Sequence, residues 1–323
     1  MIAVTGAAGF IGSCFVRTLN EQGYNDILIV DSLEQDDRWN NLVTKKFRGI
    51  EHPEVFKRKC SEGIYDAHDI SALIHMGACS PTTERNAEYL LENNYRYSIA
   101  MAQFALAHDI PFIYASSAAT YGAGENGYDD VSVSGLRPLN MYGYSKQLFD
   151  EWIIGNGLEQ SVTGIKFFNV FGPNEYHKGD MASMIFKSWK QVHAQEHISL
   201  FASDIAEYPD GGQMRDFIYV KDACKVMWNI LQSKQSHGII NLGTGKARTW
   251  NDLAHAVFKA LGKQSDIRYV SMPDSLKGQY QYYTQAVMDK LQSSSSAHQF
   301  LELEDSIADY VVNHLEQSTT RYY

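Results

Sequence analysis

The chain of 323 residues has little cysteine, and the four cysteines it has are scattered. They form no C-x-x-C pair and do not cluster with histidine, so the sequence predicts neither a zinc site nor a disulfide framework. We therefore expect no bound metal and only reduced thiols, at Cys14, Cys60, Cys79 and Cys224.

The chain also lacks an excess of basic residues and a long apolar run. Its formal net charge is -10 and its pI is about 5.5, which disfavours nucleic acid and anionic membranes as partners. The net charge does not exclude a local basic pocket that binds a small phosphorylated ligand. No stretch reaches the roughly 18 apolar residues of a membrane span. Because Met1 lies almost on the first apolar run, we expect no targeting peptide, a cytoplasmic protein and no membrane contact.

A glycine-rich turn follows that first apolar run directly. Residues 1–12 read Met-Ile-Ala-Val-Thr-Gly-Ala-Ala-Gly-Phe-Ile-Gly, which is how a dinucleotide-binding βαβ unit begins. Gly6 can turn tightly, Gly9 lets the backbone approach a pyrophosphate, and Gly12 lets the next helix pack on the strand. A second apolar run ends in Asp31, where a carboxylate can bind a ribose hydroxyl. These features predict a nicotinamide cofactor.

Apolar runs alternate with helical patterns along much of the chain. This alternation predicts an α/β fold with a Rossmann-type, doubly wound parallel sheet. Helices are expected at 13–21, at 89–108 as a crossover over the sheet, at 250–261, and along an apolar stripe at 303–315. The expected strands are residues 2–5, 27–31, 72–76, 112–117, 162–170 and 239–242.

The sequence changes character after Pro173, with an irregular stretch at 202–212 and a tyrosine-rich run at 269–283. We expect a smaller, mostly C-terminal α/β domain that binds the substrate and is interleaved with the nucleotide domain. The predicted division assigns 1–170 with 214–250 to the NAD(P)-binding Rossmann domain, and 171–213 with 251–323 mainly to the substrate-binding domain.

Candidate catalytic residues lie at the end of one expected strand and on the segment after it. Tyr142 and Lys146 are four residues apart, hence on one face of a helix, although this spacing alone means little in a chain with 20 tyrosines. They follow a strand ending at Ser117, which places a hydroxyl in the ligand crevice of an open α/β sheet. We expect Lys146 and the positive nicotinamide ring to favour the Tyr142 phenolate, which can take a proton while Ser117 holds the same oxygen.

Together these residues resemble the extended short-chain dehydrogenase/reductases that modify nucleotide sugars, and the resemblance covers nearly the whole chain. Three further segments, at 75–84, 168–183 and 277–281, resemble the ADP-L-glycero-D-manno-heptose 6-epimerases within that group. The resemblance implies an isomerase of carbohydrate metabolism that inverts C6 of ADP-D-glycero-β-D-manno-heptose for lipopolysaccharide. The route is oxidation to a 6-keto intermediate and reduction from the other side. It also implies a homo-oligomer, often a pentamer.

The resemblance assigns a second acid/base to Lys178, because the ketone meets different protein groups before and after it turns over. Such a lysine needs desolvation or positive neighbours to work reversibly. A loop lysine that neutralises substrate phosphate is the alternative. Asn93 or Asn94 matches a cofactor-proximal asparagine, the alternative being a helix-start residue. The expected cofactor contacts are Gly6, Gly9, Phe10, Ile11, Gly12, Asp31, Ser32, Arg38, Met76, Gly77, Ala78, Cys79, Ser80, Asn93, Tyr142, Lys146, Val170 and Lys178.

Arg215 is the candidate clamp for the substrate diphosphate, since a guanidinium can bind two phosphate oxygens at once. The alternative is a structural ion pair with Asp216. By the resemblance, Asn169 approaches the sugar or diphosphate and Tyr280 contacts the nucleotide, although both could be packing residues. The expected substrate contacts are Ser117, Asn169, Asp180, Lys187, Phe201, Arg215 and Tyr280.

The identity of the cofactor is contested within the sequence. Asp31 favours NAD because a carboxylate repels a 2′-phosphate, whereas Arg38 and the pair Lys45 and Lys46 could accept one. Because the resembled enzymes commonly carry NADP despite an acid at this position, we expect NADP, with NAD as the alternative.

The chain departs from the resembled pattern at Met76, Asp180 and Lys187 and in an apparent insertion at 206–212. Another nucleotide-sugar epimerase, dehydratase or reductase is therefore the alternative activity. A dehydratase is disfavoured because Ala118 and Ala119, rather than acids, follow Ser117. A non-catalytic dinucleotide-binding regulator is the remaining alternative.

Overall fold

A seven-stranded parallel sheet organises the protein, in a computed structural model that describes residues 1–34, 36–274, 280–318 and 322–323. The strands of this sheet are β1 Ile2–Thr5, β2 Ile27–Val30, β3 Gly49–Glu51, β4 Ala72–His75, β5 Phe112–Ser117, β6 Thr163–Phe167 and β10 Gly238–Leu242. The strand order is β10-β6-β5-β4-β1-β2-β3, and each neighbouring pair is parallel. The predicted Rossmann-type sheet is confirmed.

The sheet is covered by helices on both faces, so β1, β2 and β4 are buried along their whole length. The first helix begins at Phe10 rather than at Ser13, because Gly9 is already its extended N-cap. The helices are α1 Phe10–Glu21, α2 Pro53–Ser61, α3 Ala87–Leu90, α4 Tyr97–Ala107, α5 Met141–Gly155, α6 Met184–Gln195, α7 Val220–Ser233, α8 Trp250–Ala260, α9 Asp289–Gln292 and α10 Leu303–Tyr310.

The expected crossover helix is present, but a wider turn interrupts it. A π-helical segment, Leu91–Arg96, joins α3 to α4. Asn86 is the N-cap of α3, and its side chain accepts a hydrogen bond from the backbone N–H of Tyr89. A second π-helical segment, Val311–Leu315, continues α10 over the predicted apolar stripe. Such wide turns often occur at functional sites, and the first one carries Asn93 and Asn94.

The apolar run at 162–170 is not one strand, as predicted, but two. The backbone N–H of Phe168 still bonds the carbonyl of Leu242 at the edge of the main sheet. From Asn169 the chain belongs instead to a second sheet, whose strands are β7 Asn169–Phe171, β9 Met214–Tyr219 and β11 Ala247–Thr249. Their order is β11-β9-β7, and a third sheet pairs β8 Ile198–Phe201 with β12 Ile267–Val270.

This change of sheet brings β7 and the chain after it to the carboxyl edge of the main sheet, where ligands bind in open α/β folds. Short 3-10 turns at Asp37–Leu42, Ala118–Tyr121 and Tyr176–Met181 border the same edge. In the described part of the chain, every helix is too short or too polar to cross a bilayer. The predicted division into two domains stays a prediction.

Candidate active site

A cleft of about 910 Å³ opens at the carboxyl edge of the main sheet. Its walls come from the glycine-rich turn, the ends of β2, β4 and β5, helix α5 and the chain around β7. Each residue predicted to contact the cofactor lies in the wall of this cleft, including Met76, Ser80 and Val170. The structure thus brings together residues from six separate parts of the sequence.

The glycine-rich turn fits a dinucleotide because its backbone passes where side chains would not fit. Gly6 has a φ of +63°, and a Cβ there would lie 2.6 Å from the Cα of Gly77. A Cβ on Gly12 would lie 2.2 Å from the carbonyl oxygen of Gly6. Glycine is therefore required at both positions, and the turn presents its N–H groups and the start of α1 to an anion in the cleft.

Asp31, at the end of β2, is bound on several sides. Its Oδ2 accepts a hydrogen bond from the N–H of Ala8 at 2.8 Å, and its Oδ1 accepts one from Arg38 at 3.1 Å. Burial raises the pKa of this carboxyl, whereas the charge of Arg38 lowers it. Arg38 also donates to Asp36 and to the carbonyl of Ser32. The guanidinium therefore partly neutralises the acid that would repel a 2′-phosphate.

Of the three cations weighed for that phosphate, only Arg38 lines the cleft within the described residues. The Nζ of Lys45 is turned to the backbone oxygen of Tyr323, and burial lowers its pKa to about 8. Lys46 is exposed, and its backbone N–H bonds Asn20. The interpretation of Lys45 and Lys46 as phosphate ligands is wrong, because neither of them lines the cleft.

Ser117, Tyr142 and Lys146 face the cleft together. Ser117 ends β5 and hydrogen-bonds the phenol of Tyr142, while Lys146 lies one helical turn further along α5. The Nζ of Lys146 donates to the carbonyl of Ala115 at 2.8 Å, and burial lowers the pKa of this ammonium to about 8.

The phenol of Tyr142 is less acidic here than the sequence predicts. Burial is the largest influence and raises its pKa, although the hydrogen bond from Ser117 acts in the opposite direction. The ammonium of Lys146 donates to the carbonyl of Ala115, and its stabilisation of the phenolate stays a prediction, as does that by the positively charged nicotinamide ring.

Lys178 enters the same cleft from another element, the turn Tyr176–Met181. Its Nζ lies 5.3 Å from the centre of the Phe10 ring. Burial lowers the pKa of Lys178, the charge of Glu175 raises it, and the charge of Lys187 lowers it further. The structure thus supplies both the desolvation and the positive neighbour that a lysine acid/base requires.

Two buried asparagines, Asn94 and Asn41, hold the backbone around this site, and the sequence did not indicate their structural roles. Asn94 is fully buried, accepts from the N–H of Cys79 at 2.8 Å, and donates to the Cys79 carbonyl and to Ser145. Its neighbour Asn93 lines the cleft and donates to a helix carbonyl instead. Neither starts a helix, so that alternative is wrong. The adjacent pair was visible in the sequence, but only the π-helical turn decides which one faces inward.

Asn41 is the second of these asparagines, and it joins the cofactor side to the chain that leads to Lys178. It is buried, and its Nδ2 donates to the carbonyls of Ala8, in the glycine-rich turn, and of Asn174. No motif in the sequence points to this residue, because its partners lie 33 and 133 positions away.

The predicted substrate residues are divided between two places. Ser117 and Asn169 line the cleft, whereas Arg215 lies behind Trp250, which does. The Arg215 guanidinium is 5.1 Å from the ring centre of Tyr280 and donates to the backbone carbonyls of Met214 and Gln281. Burial lowers its pKa. Tyr280 accepts from Trp250 at 2.9 Å, and its ring lies 6.4 Å from that of Phe201.

The alternative of an ion pair between Arg215 and Asp216 is wrong, because neighbouring residues of β9 point to opposite faces. The buried Asp216 carboxylate accepts hydrogen bonds from Thr244, Gly245 and Ala286. Within the described residues, the Arg215 guanidinium has no carboxylate partner.

Asp180 and Lys187 lie at the edge of this region rather than in the cleft wall of the described chain. Asp180 is exposed, and its backbone oxygen accepts from the Nζ of Lys187 at 2.6 Å. Their role as substrate contacts stays a prediction. Of the segment 277–281 that carried part of the resemblance, residues 277–279 lie outside the described residues.

Comparison with known proteins agrees with this geometry. The model of the NAD dependent epimerase/dehydratase family matches residues 2–243. The chain is 50% identical over 317 residues to an ADP-L-glycero-D-manno-heptose-6-epimerase of Nitratidesulfovibrio vulgaris strain DP4, with 98% of each chain covered. It is 44% identical over 328 residues to the protein of that name from Fusobacterium nucleatum, again with 98% of each covered.

Among solved structures, the Helicobacter pylori ADP-L-glycero-D-manno-heptose-6-epimerase superposes with a TM-score of 0.79 at 25% identity, covering 96% of this chain and 94% of that one. The likeness therefore extends over sequence and fold alike. The chain belongs to the NAD-dependent epimerase/dehydratase family and, within it, to the ADP-L-glycero-D-manno-heptose-6-epimerases.

Proposed function

We propose that this chain inverts C6 of the heptose in ADP-D-glycero-β-D-manno-heptose and so forms the L-glycero epimer used in lipopolysaccharide. The observation that carries the proposal is that Tyr142 and Lys178, the two residues to which we assign acid/base roles, lie on different elements of one cleft. The chain is also 50% identical to a relative of that name. An epimerase needs such a pair, because a proton must be handled in two poses of the same carbon.

A nicotinamide cofactor bound in the cleft would supply the hydride acceptor and donor for C6, so that no net oxidant would be required. Gly6, Gly9 and Gly12 leave space for its pyrophosphate, and the hydroxyls of Ser32 and Ser80 line the same wall. In the first pose Ser117 holds the C6 oxygen by a hydrogen bond. Tyr142 takes the hydroxyl proton, which leaves the 6-keto sugar.

In the second pose the keto group has turned over and its oxygen faces Lys178. The ammonium donates a proton to that oxygen as the carbonyl carbon is reduced from the opposite side. A lowered pKa suits this step, because the group must give up its proton and then recover it. The alternative role, neutralising substrate phosphate, would call for a fully charged lysine.

NADP is the cofactor that we propose. Arg38 lies at the wall of the cleft beside Asp31, and a guanidinium can bind a 2′-phosphate while it offsets the nearby carboxylate. NAD is the alternative. We further propose that Arg215 binds the diphosphate of the substrate after Trp250 or Tyr280 shifts to admit it. The cytoplasmic location and the homo-oligomer stay predictions.

The test is NMR of the purified protein with ADP-D-glycero-β-D-manno-heptose and no added cofactor. We expect the L-glycero epimer to form. Tyr142→Phe and Lys178→Met should each abolish full epimerisation while the bound cofactor is retained. Two matched controls should keep activity: Tyr144→Phe, an exposed phenol of the same helix, and Lys190→Met, whose ammonium lies 4.4 Å from the Phe186 ring.

Either of two results would count against this proposal. Absence of conversion by protein that holds its cofactor would point to another nucleotide sugar. Normal turnover by Lys178→Met would remove that lysine from the mechanism and leave the phosphate role.

A further inference from the structure

A buried charge pair, formed by Asp150 and Lys166, lies behind the Ser117 end of β5. The Nζ of Lys166 is 2.7 Å from Oδ2 of Asp150, and both side chains are 0% exposed. Asp150 belongs to α5, one turn after Lys146, and Lys166 belongs to β6. Within the described residues, neither lines the cleft, so neither contacts the substrate.

Each member of the pair reaches the strand that carries Ser117. The Asp150 carboxylate accepts from the hydroxyl of Ser116 at 2.7 Å and from that of Tyr114 at 2.9 Å. Both donors are residues of β5, so the carboxylate ties helix α5, which carries Tyr142, to the strand that ends at Ser117.

Lys166 reaches the backbone of Ser117 through one further residue. Its Nζ donates to Oγ1 of Thr120 at 2.7 Å, and Thr120 donates in turn to the carbonyl of Ser117 at 2.8 Å. Thr120 is fully buried in the 3-10 turn that follows β5. The ammonium thus holds the last residue of the strand from the side opposite to the cleft.

Stability alone is a weak reason for such an arrangement. The desolvation of two buried charges often cancels their attraction, and hydrocarbon side chains of similar volume can replace such a pair at little or no loss. Hydrocarbon side chains cannot, however, fix the orientation of the groups around them, because only hydrogen bonds hold the Ser117 carbonyl and the Asp150 carboxylate at fixed angles.

We propose that the Asp150–Lys166 pair, acting through Thr120, is a positioning device that holds the Ser117 hydroxyl against the Tyr142 phenol. The inference rests on the proposed function, since it concerns the hydroxyl and the phenol that share the C6 oxygen. Asp150, Lys166 and Thr120 are positioning residues, not catalytic ones.

Substitution of Thr120 tests the proposal with the least disturbance, because two variants separate the effect of side-chain shape from that of the hydroxyl. Thr120→Val keeps the shape and removes both hydrogen bonds, and we expect kcat to fall about tenfold while KM for the nucleotide sugar changes less than about twofold. Thr120→Ser keeps the hydroxyl and should retain kcat. Thr18→Val is the matched control, since it removes a buried hydroxyl that bonds the Cys14 carbonyl far from Ser117.

The pair itself is tested by variants that leave no lone buried charge. Lys166→Arg should keep most of kcat. The double variant Asp150→Leu with Lys166→Met should fold and hold its cofactor, yet lose about tenfold or more in kcat. A double variant with the kcat of the wild type would overturn the proposal, and so would a Thr120→Val protein that differs from Thr18→Val only in melting temperature.

A readout without substrate separates this inference from the proposed function. The hydrogen bond from Ser117 lowers the pKa of Tyr142, so losing the alignment should raise it. The pKa of Tyr142 is obtained from the difference between two ultraviolet titrations, one of a given variant and one of the same variant that also carries Tyr142→Phe. Cys79, the other titratable group that acts on this phenol, is the same in both proteins. If the wild type fails to convert the heptose, the proposed function fails. An unshifted phenol in Thr120→Val would still contradict the positioning role.

Discussion

The two sides of the cleft are built in different ways. On the cofactor side, Asp31, Asn41 and Asn94 each bond backbone groups of the turns around the cleft, and all three are buried. On the substrate side, Arg215 lies among aromatic rings and donates to the backbone carbonyls of Met214 and Gln281. Two residues of the tyrosine-rich run, Tyr280 and Gln281, contact Arg215 there.

The difference matches what each side has to do in the proposed reaction. A cofactor that is oxidised and reduced within one turnover can stay bound, so a preformed cradle suits it. A nucleotide sugar must enter and leave, and half-buried rings can move aside at little cost. We therefore expect damage to the cofactor side to empty the protein of cofactor, and damage to the substrate side to change KM.

Gly12→Ala should have the largest effect. The new Cβ would lie 2.2 Å from the Gly6 carbonyl oxygen, so the turn must open and the bound cofactor should be lost. Cofactor content of the purified protein, read by absorbance after denaturation, measures this. Gly49→Ala is the control because its Cβ meets nothing within 4 Å. Full cofactor occupancy in the Gly12→Ala protein would mean that the glycine-rich turn can adjust, and that the cofactor side is not the preformed cradle described above.

Arg215→Ala should act on the other side alone. Loss of a guanidinium that binds phosphate should raise KM by roughly 10- to 100-fold with a smaller change in kcat, and cofactor content should not change. Arg268→Ala, at an exposed arginine paired with Asp266, serves as the control. Steady-state kinetics with ADP-heptose distinguishes the outcomes. An unchanged KM would remove Arg215 from the substrate side.

Arg38→Ala should lower the preference for NADP over NAD about tenfold, because it removes a guanidinium at the proposed 2′-phosphate position and leaves the charge of Asp31 without this ion-pair partner. Cofactor-free protein, titrated with each dinucleotide in turn, gives the ratio of dissociation constants. Lys46→Ala should leave that ratio unchanged, since Lys46 is exposed and does not line the cleft. Equal loss of affinity for both dinucleotides would assign Arg38 to the cradle rather than to the phosphate.

The smallest effect at neutral pH concerns His75, at the end of β4 below the cofactor cradle. It is buried between the hydroxyls of Thr5 and Ser98, and burial lowers its pKa to about 3. Between pH 6.5 and that value, the unfolded chain binds a proton that the folded chain does not, so stability falls as the pH falls. The loss should be about 2 kcal/mol at pH 5.

His75→Gln should flatten this slope in denaturant melts between pH 7 and pH 4, whereas His68→Gln, at an exposed histidine, should not. A slope that survives in His75→Gln would place the titrating group elsewhere.

The same contrast decides how much could be predicted from the sequence. The glycine-rich turn, Asp31, Ser117 and the Tyr142–Lys146 pair are local patterns, because each follows directly from a strand end or a helical spacing. The break at Phe168 could not be predicted, since an unbroken apolar run does not say which sheet its second half will join. Only pairing with β9, almost 50 residues later, splits the run.

Side-chain direction was the other limit. The sequence placed Lys45, Lys46 and Arg38 in one neighbourhood, and the fold points only Arg38 into the cleft. The Arg215–Asp216 alternative failed for the same reason, because strand neighbours face opposite ways. Asp150 and Lys166 could not be paired in advance, since nothing in either segment indicates the other.

The contact between Lys178 and the Phe10 ring has a consequence for recombination among related enzymes. Phe10 is the first residue of α1, within the segment that cradles the dinucleotide, whereas Lys178 belongs to a loop more than 160 positions away. A chimaera that took only residues 171–213 from a related enzyme would pair the lysine of that enzyme with the Phe10 ring of this chain. Crossover points that inherit residues 1–12 together with that loop should yield active hybrids more often than points that separate them.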